Sequence, residues 1–157
     1  MAQMNTLMSN IAEAISNSSD ISAWAAIEYD RKIIVFENCD PRNDPGESDC
    51  PMVILYPVQK SSGLAPGVKS HIIGISCVVF DNAKPESIGE VISFSGGTNV
   101  ETLREFVLAE ILDTIPSDLH VAEVVVEYDT IDQFPYVSAH MQLTLTQEKL
   151  IGSDPYE

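Results

Sequence analysis

The chain has 157 residues, 45% of them hydrophobic and 20% charged, which suits one domain with its own core and excludes a disordered polymer. Twenty-four acidic residues face eight basic ones, a formal charge of −16, and that imbalance opposes general affinity for nucleic-acid phosphates or anionic lipid. Cys39, Cys50 and Cys77 show no CxxC spacing, so neither a disulfide framework nor a zinc knuckle is expected, and no apolar run approaches the roughly eighteen residues that span a bilayer.

Met4, Leu7, Met8, Ile11 and Ile15 recur at spacings of three and four, which predicts an amphipathic helix. Its start has neither the basic residues nor the continuous apolar stretch of a secretory signal, so a cytoplasmic chain is expected. Asn17, Ser18, Ser19 and Asp20 form a polar cluster that should stop the helix. Residues 23–29 and 32–37, with Trp24, Ile27, Ile33, Ile34, Val35 and Phe36, read as one bent strand or a hairpin.

Residues 38–51 (NCDPRNDPGESDCP) must form an exposed loop, because proline, glycine and four acids cannot continue a strand or helix. Asp40, Asp44, Glu47 and Asp49 could collect a cation, but counting from Asp40 puts Arg42 at the third position and Pro45 at the sixth, which fails the EF-hand pattern. A solvated loop is expected; Cys39 and Cys50 could pair across it, but free thiols are the expectation. Residues 52–58 resume a strand, and residues 59–70, containing KSSGLAPG, read as a second turn-rich loop.

Residues 71–80 (HIIGISCVVF) are apolar on both faces, as in a strand at the middle of a covered sheet, with Cys77 a buried small hydrophobe. Residues 81–90 read as a loop and 91–95 as a short strand. Thr98 and Glu101 fit a capping box opening a helix over residues 99–115 with Val100, Leu103, Val107 and Ile111 on one face and Pro116 closing it. Ser95, Gly96 and Gly97 before that helix could cradle an anion, but no GxxxxGK[ST] or GxGxxG is present and no lysine follows, so a strand-to-helix turn is preferred.

Strands follow over residues 119–128 and 134–147. In the second, Val137, Ala139, Met141, Leu143 and Leu145 alternate with Ser138, His140, Gln142, Thr144 and Thr146, so one face is dry and one wet. The strand connections are too short for crossover helices. The fold expected is therefore α+β: a single domain over residues 1–151 whose largely antiparallel mixed sheet carries two principal helices, with residues 152–157 a frayed tail. His71, His120 and His140 share no ligand spacing, and Glu123, Glu127 and Asp129 alternate along a strand without an assignable acid–base pair, so no enzyme, cofactor or metal is expected.

The series MNTLMSNIAEAI, PMVILYPVQ, HIIGISCVVF, TNVETLREFVLAEIL and EVVVEYDTIDQFPYVSAHMQLTLTQ resembles the tail-terminator (tail-completion) proteins of long-tailed bacteriophages. The resemblance implies a structural virion protein of the tail or neck, assembled in the host cytoplasm. It implies a homo-oligomeric ring, usually a hexamer, that ends tail-tube polymerisation and gives the head connector its docking surface. Its partners would be itself, the tail tube protein and the connector, with no membrane; genomic DNA would pass through unbound, kept free by surplus carboxylates in the lumen. The loops 38–51 and 59–70 are the interface candidates, through Asp40, Arg42, Asp44, Glu47, Asp49, Lys60, Leu64 and Lys69. Another neck or head–tail joining protein is the nearest alternative. A ligand-binding domain or small enzyme built on the histidines is the alternative of another class.

Overall fold

The computed structural model describes residues 4–38, 42, 45–62, 68–81 and 85–148. Leu7, Met8, Ile11, Ala12 and Ile15 form the buried stripe of helix α1, Met4–Asn17, as their spacing predicts. The polar cluster after it does not end the helical region. Ser18 breaks the backbone for one residue, its hydroxyl accepts from the Ile21 amide at 3.3 Å, and helix α2 runs over Ser19–Tyr29.

Residues 23–29 are therefore helix, which corrects the strand expected there. Alanines 23, 25 and 26 favour the helix locally, and burial of Ile21, Trp24 and Ala25 gives it a packing face. Asp30, at φ 52°, closes α2 in the left-handed conformation with its amide on the Ala26 carbonyl at 3.1 Å.

Five strands form the main sheet in the order β1-β2-β3-β7-β6: β1 is Ile34–Glu37, β2 Met52–Ser62, β3 Val68–Phe80, β6 Leu119–Asp129 and β7 Tyr136–Glu148. β1 and β2 are parallel, and every other neighbouring pair is antiparallel. The sheet is thus mixed and largely antiparallel, with β3 in the centre. Its centrality follows from pairing on both sides: β3 meets β7 from Val68↔Glu148 to Phe80↔Tyr136 and β2 from Lys69↔Ser62 to Val78↔Met52.

Much of the segment 59–70 is strand, a second correction. β2 continues to Ser62 and β3 starts at Val68, because pairing with the far end of β7 overrides a composition rich in serine, glycine and lysine. A small hairpin, β4 Glu86–Ile88 and β5 Val91–Ser93, precedes helix α3, Ser95–Thr114. Pro116 follows the last turn of α3, as expected.

The three helices among the described residues lie on one side of the sheet. α1 covers β1 and β2, α3 covers β3 and β7, and α2 packs on α1 and α3. The core between the layers joins Ile11, Ile15, Ile21, Leu103 and Ile111 to Leu55, Ile73, Ile75, Met141, Leu143 and Leu145. Each such side chain contributes roughly 1.5–3 kcal/mol by leaving water. The dry face of β7 read from the sequence is this core face. On the opposite face Met52 and Val78 join Cys50 in a smaller cluster flanked by Phe36, Ile54, Phe80 and Tyr136, and among the described residues no helix covers the polar remainder of that face.

Candidate assembly surfaces

The start of α3 is satisfied from within the chain. Asp81, the residue after β3, accepts from the Gly96 amide at 2.9 Å and is buried. A Cβ on Gly96 would lie 2.7 Å from that carboxylate and 2.9 Å from Val137, so glycine permits the close approach. The anion that Ser95, Gly96 and Gly97 could have cradled is thus the protein's own. The Thr98–Glu101 capping box is not formed: the helix begins at Ser95, and Glu101 lies inside it. Glu101 accepts from Arg104 Nε at 2.9 Å and from the Tyr128 hydroxyl of β6. The Arg104 hydrogen bond, foremost, holds the Glu101 carboxyl below its ordinary range.

The sequence places three histidines on strands, and the register separates them. His71 is 2% exposed on the core face of β3. His140, on the opposite face of β7, has Nδ1 2.7 Å from Ser76 Oγ and Nε2 3.2 Å from Ser138 Oγ. His120 pairs with Thr146, six positions along β7 from His140 and so roughly 20 Å away. Among the described residues no group of three or more His, Cys, Asp or Glu could hold a metal ion.

Of the interface candidates, Arg42, Glu47 and Lys60 are exposed, while Asp49 is half-buried. Asp40, Asp44, Leu64 and Cys39 lie outside the described residues, as do residues 152–157 and the Lys69 side chain. The described end of the acidic loop is organised as well as solvated. Glu47–Asp49 make one 3-10 turn. Asp49 Oδ2 accepts from the Gly46 amide at 2.8 Å, and Arg31 donates to the Glu47 and Cys50 carbonyls at 2.9 and 3.2 Å. Cys50 is a free, buried thiol, and burial pushes its pKa up to about 11. Cys77 is also free and wholly buried, its pKa pushed up to about 12 by the same cause.

Two surfaces missed by the loop-centred expectation stand out. Phe94 and Phe134 meet edge to face at 5.6 Å beside a groove of about 470 Å³ lined also by Ile131, Val137 and Gly97. The hairpin leading into Phe94 exposes Ile88 (80%), Val91 and Ile92, and Ile131 is equally bare at 80%. Apolar exposure on this scale marks contact surfaces more often than free ones.

The second surface is β6 itself. It has eleven residues and lies at the sheet edge, and its packing is almost wholly against β7. Val124 and Tyr128 are exposed on its helix-side face and Val125 on the other. Such an edge presents a row of ladder groups to any second strand. The run VVVEY signals a strand, but strand order alone makes it an edge.

A scan of protein-family models found no match to the chain, and a search of curated proteins found no significant match.

Proposed function

We propose that this chain is a non-enzymatic virion subunit, a phage tail terminator whose copies close into a ring at the head-proximal end of the tail tube. The observation that carries the proposal is the eleven-residue edge strand β6, which has no outer neighbour among the described residues, since a long edge with exposed valines is a liability in a solitary subunit and an asset in one that adds to its own copies. The bare apolar hairpin and the groove beside Phe94 supply a further surface for the tail tube or the connector. The surplus of sixteen negative charges suits a ring through which a polyanion slides without sticking. The experiment is electron microscopy of polymerising tail tubes from the matching phage with and without the protein. Added protein should cap one tube end as a ring and fix tube length; unaltered growth with no ring at either end would sink the proposal.

A further inference from the structure

The groove beside Phe94 is built from two short segments that carry apolar and acidic side chains together. Residues 85–94, which form the hairpin and end at Phe94, expose Ile88, Val91 and Ile92 alongside Glu86 and Glu90. Residues 129–135, the turn before β7, expose Ile131 and Phe134 alongside Asp132, with Asp129 half-buried. The edge-to-face contact of Phe94 with Phe134 joins the two segments, and Asp81, Gly97, Thr130 and Val137 complete the lining among the described residues. Asp129 Oδ1 accepts from the Asp132 amide at 3.1 Å, which fixes the shape of the turn. Neither segment contains a lysine or an arginine.

We infer that this groove binds a segment of another protein in which a large apolar side chain is flanked by lysine or arginine. The inference deepens the reading of the groove as a surface for the tail tube or connector, rests on it for the partner's being a protein, and names the chemistry of the contact. Affinity comes from the apolar part. A volume of about 470 Å³ admits a leucine or phenylalanine side chain, and a pocket of this kind with two aromatic walls is where binding energy concentrates. Charge selects the partner. Glu86, Glu90, Asp129 and Asp132 are all of one sign, so they repel an acidic segment and draw in a basic one. A second copy of this chain is a poor occupant, because it brings a formal charge of −16 of its own.

The test uses the full chain with methyl-labelled isoleucine, reading the Ile131 signal by NMR as each of three peptides is added. The probes are N-acetyl-Lys-Leu-Phe-Lys-amide, its acidic counterpart N-acetyl-Glu-Leu-Phe-Glu-amide and the polar control N-acetyl-Lys-Ser-Ser-Lys-amide. The first should bind at least about tenfold more tightly than either of the others. Replacing the exposed or half-buried carboxylates by Glu90→Gln, Asp129→Asn and Asp132→Asn should bring the basic and acidic apolar peptides close to equal. Ile131→Ser, read at Ile88 and Ile92 instead, should weaken both apolar peptides. Equal binding of the acidic peptide to wild type, equal binding of the polar control, or no shift of Ile131 with any probe would each overturn the inference. So would an Ile131 signal that moves with protein concentration alone, since that would seat a second copy in the groove. None of these outcomes bears on the ring, which falls instead if the wild-type chain never exceeds monomer mass.

Discussion

Asp81 and Gly96 lock the end of the central strand to the start of α3: the carboxylate accepts from the amide at 2.9 Å, and the missing Cβ leaves room for it. The pair does what an N-cap side chain does, from fifteen residues upstream. Asp81→Ala should cost about 1–2 kcal/mol in chemical denaturation, and Asp81→Asn less, because the amide oxygen still accepts. Gly96→Ala should destabilise comparably by displacing the carboxylate and Val137. Unchanged midpoints in both alanine variants would show that the helix start is held by something else.

Tyr56 lies across Gly74 on the next strand, where a Cβ would fall 2.2 Å from its ring. Gly74→Ala must turn that ring away, at about 1–2 kcal/mol. In a double-mutant cycle with Tyr56→Ala the glycine substitution should lose most of its cost. Additive effects would mean that the ring does not occupy the glycine's space in solution.

Glu101 ties α3 to β6 through Arg104 and Tyr128. Its carboxyl is lowered from an ordinary value of 4.5 by the Arg104 hydrogen bond above all. A lowered carboxyl stabilises the fold fully above its unfolded pKa, and the contribution is lost as pH falls through the folded value. The stability gap between wild type and Glu101→Gln should therefore be full near about pH 6 and shrink steadily as pH falls below the ordinary 4.5. A gap constant over that range would show that the charge on Glu101 plays no part.

The acidic loop pairs replaceable charges with one structural arginine from outside it, Arg31. Converting Asp40, Asp44, Glu47 and Asp49 to asparagine should leave folding nearly intact, since an asparagine at 49 still offers the Gly46 amide an oxygen. Arg31→Ala removes two hydrogen bonds to the Glu47 and Cys50 carbonyls. In a Cys39→Ser background it should speed thiol labelling of Cys50, which is 1% exposed and raised to about 11. Equal labelling rates with and without Arg31 would contradict that role.

What the sequence made legible follows from which forces are local. The alternation of Val137 through Leu145 with Ser138 through Thr146 identified β7 and its core face, because a strand with one dry side writes its period into the chain. The stripe Leu7, Met8, Ile11 and Ile15 did the same for α1. α2 was hidden because Trp24 and Ile27 look strand-like, whereas the decisive features are the Ser18 cap and burial of Ile21 and Ala25 by other helices. The true start of α3 was illegible because its cap, Asp81, comes from another element. The strand at 119–128 was readable, but its place at the edge depends on which strands pair, and that is settled by contacts between distant segments.

The most direct measurement is the mass of the wild-type protein in solution, by sedimentation velocity over rising concentration, with electron microscopy of the largest species. Subunits of 17.2 kDa should gather into one closed species of uniform size, about six times that mass for a hexamer, seen as a ring with an open centre. A single species at the mass of one chain across all concentrations, with no annular particles, would contradict the central claim.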